Sequence, residues 1–332
     1  MQSFKGKGYS GYRNMGNTCY FNAALCAVGN CLELTNYFLS EDFKKDIGPR
    51  NFERSDEFSF LMTYIKTLEV FYEENQVILP KSIYAKFIGI SRFSRNKQHD
   101  AYMCIISILD ILNSALYRRI ACAPPQVENA HKYITESREV FYTHFKESYS
   151  KMTDLFFGQY IQKITCCICS CSSYSYQPFM GINLNVADKE IQTIYNILHS
   201  YFRNQTLEKM CNETCKRSTV HVIKTRIIKL PKYLIIHFKR FDNTNKKLNN
   251  TIAFASDLDV VDYTHRTNSN PTGYELISVI NHIGGDTGGG HYTTMNRTAD
   301  GSWITINDEE ITATLPTDIC TKNAYILFYE QH

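Results

Sequence analysis

The chain has 332 residues, 43% apolar and 21% charged, and its 36 Lys and Arg against 33 Asp and Glu leave a net charge of +3. This is ordinary globular composition, which excludes a disordered or fibrous chain, and no uninterrupted apolar run exceeds six residues, far short of a membrane helix. So small a charge surplus, with no basic stripe, argues against nucleic acid as a partner.

Such a length allows about two domains, or one large domain with an insertion. The opening stretch Met1 to Lys7 carries charge but no apolar segment behind it, so no secretory signal is read there. A cytoplasmic and/or nuclear setting with reduced thiols is expected, and the N-x-S/T triplets at Asn204, Asn249 and Asn296 then carry no weight. The first third reads as helical: Phe21, Leu25, Val28 and Leu32 fall at helical spacing, as do Leu61, Ile65, Leu68 and Tyr72. A third helix places Asp100 near its N-terminus and Ile105, Leu109, Leu112 and Leu116 on one face. After Met152 the texture turns to strand chemistry, in Tyr233 to Ile236, Tyr274 to Ile280, His291 to Asn296, Ser302 to Ile306 and Ala324 to Tyr329. One helix interrupts these runs, with Ile191, Ile194, Leu198 and Tyr201 or Phe202 inward. Asp242 to Leu248 reads as a mobile loop. A helical front and a strand-rich back predict an α+β enzyme whose site lies where the halves meet.

Gly6-x-Gly8-x-x-Gly11 spells the dinucleotide fingerprint but lacks the strand that must precede it. Cys19 stands just after a candidate N-cap, at the first turn of a predicted helix, where the dipole favours a thiolate. A nucleophilic cysteine needs a base, a group that orients the base, and donors for an oxyanion. His291 is the candidate base. The strand it opens and the strand ending at Asn307-Asp308 are joined by Arg297 to Gly301, so antiparallel pairing returns a carboxamide or carboxylate beside the imidazole.

Twelve cysteines are too many to ignore. Cys166-x-x-Cys169 and Cys211-x-x-x-Cys215 have spacings that close a tetrahedral Cys₄ zinc site of structural type. Pairs of Cys169 with Cys171, or Cys167 with Cys171, are alternatives. For Cys26, Cys31, Cys104, Cys122 and Cys320, packing suffices.

Taken in order, these residues resemble a known family. Asn14 to Asn22 resembles the cysteine box of the ubiquitin-specific proteases, and Gln98-His99-Asp100-Ala101 the motif that opens a thumb helix. Leu230 to Phe241 resembles the LPxxLxxHxKRF strand. Tyr274-Glu275-Leu276, His282, Gly290-His291-Tyr292, Trp303 with Asn307-Asp308, and Ala324 to Tyr329 resemble the histidine box. Met103, where the family often carries an acid, and Phe254-Ala255, which lacks a usual proline, depart from the pattern. The resemblance implies a papain-like α+β fold over 1–332: a helical thumb at about 11–150, β-rich fingers at about 151–230 and a palm at about 231–332.

It further implies a deubiquitinating cysteine protease with Cys19 as nucleophile, His291 as base and Asn14 in the oxyanion hole. The tryptophan anchor makes Asn307 the orienting residue, whereas counting seventeen residues from the histidine gives Asp308. Zn²⁺ on Cys166, Cys169, Cys211 and Cys215 is implied at the finger tips, with ubiquitin and ubiquitinated proteins as partners and a monomeric chain. The competing readings are a catalytically impaired ubiquitin-binding module of the same fold, and a protease for a ubiquitin-like modifier.

Overall fold

The protein is described by a computed structural model over residues 4–48, 55–73, 75–119, 131–187, 191–242, 244–267, 270–284 and 289–332. Cys122 and Gly288 lie outside them. Among the described residues no helix is long and apolar enough to cross a membrane.

The front of the chain is helical. α1 (Cys19–Gly29), α2 (Leu32–Leu39), α3 (Ser55–Glu73), α4 (Lys81–Ile90) and α5 (Ala101–Leu116) form one packed group. All eleven residues of α1 are buried, so it is a central helix rather than an amphipathic surface one. α3 buries a single stripe of Phe60, Leu61, Tyr64, Ile65, Leu68, Phe71 and Tyr72. α5 begins where the Asp100 carboxylate accepts the Met103 N–H at 2.8 Å, a cap worth about 1 kcal/mol. Beyond it come α6 (Lys132–Phe145) and α7 (Lys151–Phe156). The sequence reading caught α1, α3 and α5, although Leu32, expected on the first helix, opens α2, and it missed α4, α6 and α7.

Strands β1 (Gly11–Tyr12) and β2 (Val77–Ile78) pair in parallel outside the main sheet. The main sheet runs β15-β14-β13-β12-β16-β9-β5, with β11 (Asp257–Asp259) on β12. Its members are β5 (Gly181–Asn185), β9 (Tyr233–Lys239), β12 (Gly273–Ile283), β13 (His291–Arg297), β14 (Trp303–Asn307), β15 (Glu310–Thr314) and β16 (Ala324–Gln331). The near-continuous apolar run of β16 is explained by its central position: Ile326 and Phe328 face the helical core, while Leu327 and Tyr329 face a second core with Ile182, Leu198, Ile236 and Leu276. A strand buried on both faces needs no polar alternation.

The seam between α1 and the sheet is also polar. Thr294 Oγ1 donates to the Ala23 carbonyl at 3.3 Å, Asn296 Nδ2 to the Cys26 carbonyl at 3.0 Å, and Asn30 Nδ2 to the Ile277 carbonyl at 2.8 Å. Each buried donor is satisfied, which fixes the helix in one register against the sheet.

A separate four-stranded sheet, β4-β3-β8-β7, comprises β3 (Gly158–Cys166), β4 (Ser172–Phe179), β7 (Gln205–Cys211) and β8 (Arg217–Lys229). Between β4 and β7 the chain returns to the main sheet through β5, then β6 (Ile191–Thr193) and α8 (Ile194–Tyr201). Ile191, expected on the helix, lies on β6, which pairs with β10 (Thr251–Ala253). The loop expected at 242–248 is described at Asp242 and at 244–248. The Asp242 carboxylate accepts the N–H groups of Thr244 and Lys246, and Lys247 is 2% exposed, donating to the carbonyls of His282 and Gly284. A buried ammonium must be paired with acceptors, so this segment is fastened to the end of β12.

Candidate active site

Residues 14–18 form a tight loop leading into α1. Gly16 and Asn17 adopt positive φ, 94° and 56°, and the Asn14 side-chain oxygen accepts from the backbone N–H of Gly16 at 3.0 Å and of Thr18 at 3.3 Å. Thr18 holds the N-cap position without capping: its hydroxyl oxygen accepts from the Met15 N–H at 2.9 Å. In the first turn of α1 the N–H groups of Phe21 and Asn22 donate to the Thr18 carbonyl, both at 3.0 Å, and Cys19 stands at the first helical position.

Cys19 is buried, and burial pushes its thiol above the ordinary range, against the Tyr292 backbone N–H, which favours the thiolate; the Asp308 charge adds to the rise. The dipole effect read from the sequence is thus outweighed by desolvation. The contact with Tyr292 sets the sulfur beside the residue that follows His291.

His291 opens β13, and the β13–β14 hairpin pairs Thr294 with Ile306. That register returns Asn307 to the histidine, its Oδ1 2.6 Å from His291 Nε2. An amide oxygen can only accept, so Nε2 carries the proton and Nδ1 the lone pair. Asp308 is farther, with Oδ2 3.8 Å from Nε2. Its carboxylate instead accepts from Asn14 Nδ2 at 2.9 Å and Asn22 Nδ2 at 2.7 Å. The two adjacent residues therefore face different halves of the site: Asn307 the histidine, Asp308 the cysteine loop.

The backbone explains this division. Asp308 has φ of 52°, turning its side chain away from the strand alternation, and its carbonyl accepts the Tyr12 N–H at 2.8 Å. Gly11 lies so close that a Cβ there would stand 2.5 Å from the Asp308 carbonyl oxygen. The third glycine of the dinucleotide-like triplet is required by this approach. The triplet precedes a two-residue strand and no phosphate-binding helix, in keeping with its rejection from sequence.

Two further groups stood within motifs named from the sequence but were given no role there. Gln98 clamps the residue before the histidine: its Nε2 donates to the Gly290 carbonyl at 3.0 Å and its Oε1 accepts the Gly290 N–H at 2.8 Å. A Cβ at Gly290 would come within 2.3 Å of His282 Nε2, so glycine is needed for this approach. Asn22, 2% exposed in a buried helix, donates to both Tyr12 O and Asp308 Oδ1. A polar residue within an otherwise apolar helix was the available signal.

The cysteine cluster lies where the β3–β4 and β7–β8 turns meet, because β3 pairs with β8 and Cys166 opposes His221. Sulfurs of Cys166, Cys169, Cys171 and Cys211 lie within 4.8 Å of one another. Cys169 is 3.6 Å from Cys211, Cys171 is 3.6 Å from Cys211, and Cys166 is 3.9 Å from Cys215. A tetrahedral ion with bonds of about 2.3 Å sets its sulfurs about 3.8 Å apart, so the donor set fits a thiophilic metal ion. Of the four expected ligands, Cys166, Cys169 and Cys211 belong to the mutually close group. Cys171 completes it, and Cys215 adjoins it through Cys166. Cys167 is exposed, and Cys26, Cys31 and Cys104 are buried in the core.

The family model for ubiquitin carboxyl-terminal hydrolase matches residues 10–329. Ubiquitin carboxyl-terminal hydrolase 2 of Rattus norvegicus is 29% identical over 99% of this chain and 55% of its own length. Ubiquitin carboxyl-terminal hydrolase Usp2 of Drosophila melanogaster is 27% identical over 98% of this chain and 35% of its own. The chain thus spans about half the length of the first of these relatives and about a third of the second. Among solved structures, a SAGA DUB module bound to ubiquitin aldehyde superposes with a TM-score of 0.76 at 21% identity, covering 98% of this chain and 70% of that one. This likeness places the papain-like α+β architecture among deubiquitinase folds. With the family match extending over nearly the whole sequence, the chain belongs to the ubiquitin carboxyl-terminal hydrolase family.

Proposed function

We propose that the protein is a deubiquitinating cysteine protease that cleaves the isopeptide bond after the C-terminal glycine of ubiquitin. The observation that carries this reading is the Cys19 thiol seated against the Tyr292 N–H, next to a histidine held by Asn307 at 2.6 Å. Burial holds the Cys19 thiol above its ordinary range, which disfavours the thiolate. Activation then requires His291 Nδ1 to take the proton as sulfur attacks the carbonyl carbon.

Negative charge developing on the carbonyl oxygen meets the backbone N–H of Cys19, at the first helical position of α1, and the Asn14 amide. Asn14 Nδ2 carries two N–H bonds, and Asp308 takes one, which orients the amide. Collapse of the tetrahedral intermediate breaks the C–N bond, and the imidazolium gives its proton to the leaving lysine amine. Water, deprotonated by the same histidine, cleaves the thioester and restores the thiol. The helical front serves as thumb, the main sheet as palm and the four-stranded sheet as fingers.

At the finger tips we assign structural zinc to the cysteine cluster. Bound there, the ion supplies a cross-link between two turns and no reactive coordination position. Ubiquitin is the partner supported by the family match and by the ubiquitin-bound SAGA neighbour.

Electrophilic probes built on ubiquitin and on ubiquitin-like modifiers test the reading together. The ubiquitin probe is expected to form one adduct, on Cys19. Exclusive reaction with another modifier overturns the substrate, and ubiquitin binding without any adduct overturns the enzyme in favour of a recognition module.

A further inference from the structure

The cluster supplies five thiols where a tetrahedral ion takes four. Cys166, Cys169 and Cys211 belong both to the pairs expected from the sequence and to the mutually close group, while Cys171 and Cys215 each approach that trio from a different turn. Cys171 lies 3.1 Å from Cys169 and 3.6 Å from Cys211. Cys215 lies 3.9 Å from Cys166 and also reaches Cys169 and Cys211.

Both turns are built to present these thiols. In the first, Ser170 has φ of 60°, and the Cys166 N–H donates to the Cys171 carbonyl at 3.0 Å, folding Cys171 back over the pair. In the second, Lys216 has φ of 54° and its N–H donates to the Cys211 carbonyl at 2.8 Å. The extra residue that widens the second pair to Cys-x-x-x-Cys is accommodated inside this turn.

We propose that Cys171 and Cys215 are interchangeable fourth ligands of one metal site, so that the site carries its own replacement thiol. This rests on the assignment of a thiophilic ion to the cluster. Three fixed thiolates hold the ion, and the fourth position passes between the two turns by exchange of one sulfur for the other. One thiol is therefore always unbound beside the metal. The two-turn junction tolerates loss of either claimant but not of a shared ligand.

The test uses the full chain, stripped by chelation and titrated with Co²⁺, whose thiolate charge-transfer and d–d bands report ligand number and geometry, and then with Zn²⁺. Cys171→Ser and Cys215→Ser should each bind one ion per chain with tetrahedral bands and affinity within about tenfold of the unaltered protein. The double variant, left with three thiolates, should lose more than about a hundredfold. Zinc-loaded unaltered protein, alkylated and mapped by mass spectrometry, should show partial labelling shared between Cys171 and Cys215, with Cys166, Cys169 and Cys211 protected. This second readout needs no variant to fold.

A single variant that loses metal as fully as the double one overturns the exchange, as does complete labelling of one claimant with full protection of the other. Failure of the unaltered chain to bind either ion overturns the metal assignment itself, and the exchange with it.

Discussion

At the seam between α1 and the main sheet, one sulfur is placed by residues drawn from four separate stretches of chain. The Asn14 loop, Asn22, the Gln98 clamp, the Gly290-His291 start of β13 and the Asn307-Asp308 turn interlock through side-chain hydrogen bonds over a continuous apolar core. At the tips of the four-stranded sheet, five sulfurs are placed by two local turns. There β7 is exposed along six of its seven residues, and Ile168 is 59% exposed. The first site is fixed by tertiary packing before any ligand arrives. The second, in the reading proposed above, is joined by an ion across turns with exposed flanks, as small metal modules are.

The comparison makes unequal demands on mutation. The largest expected effect separates neighbours at the seam. Asn307→Ala, which frees the histidine tautomer, should lower kcat by about 10²- to 10⁴-fold. Asp308→Ala, which releases Asn14 and Asn22, should cost less, at about 10- to 10²-fold, because it loosens an oxyanion donor whose outright loss costs about 10²- to 10³-fold. A larger loss at Asp308 would transfer the orienting role to it. Next, Cys211→Ser should reduce bound zinc from about one ion per chain to well below one. It should also raise proteolytic cleavage in the four-stranded sheet before the main sheet opens. Cleavage that begins in the main sheet would contradict the division into a packed seam and a metal-joined tip.

A smaller effect is expected at Gln98. Gln98→Ala removes two hydrogen bonds from Gly290, each worth about 1 kcal/mol, and should lower kcat/KM by about ten- to thirtyfold with the fold intact; an unchanged value would mean that the clamp does not hold His291. The smallest is a shift of titration. Alkylation of Cys19 by iodoacetamide should keep rising above the ordinary thiol range. Asp308→Asn, by removing a charge that disfavours the thiolate, should move that rise to lower pH. A shift to higher pH would show that Asp308 stabilises the thiolate instead.

The seam was legible because its chemistry lies at element boundaries: Cys19 opens a helix, His291 opens a strand, and Asn307 ends one. The hairpin register sets Asn307 2.6 Å and Asp308 3.8 Å from His291 Nε2, since a strand cannot slip without inverting its faces. What stayed hidden were contacts made by loops. Gln98 meets Gly290 across 192 positions, and no local period encodes that distance. The 242–248 segment looked mobile because its Asn, Asp and Lys are turn and surface residues. Lys247 nevertheless finds two carbonyls, and burial follows. In the cysteine cluster, spacing pointed to Cys166, Cys169 and Cys211, which lie in the mutually close group, and to Cys215, whose place there Cys171 takes, because a turn that folds Cys171 back over its pair is not written in the spacing.

The most direct test is hydrolysis of a ubiquitin C-terminal fluorogenic amide by the unaltered chain and by Cys19→Ala, with circular dichroism confirming that both are folded. Turnover by the former and a loss of at least about 10⁴-fold in the latter is the predicted result. Equal turnover by both, or none by a folded, unaltered chain, would contradict the assignment of Cys19 and His291 as a deubiquitinating pair.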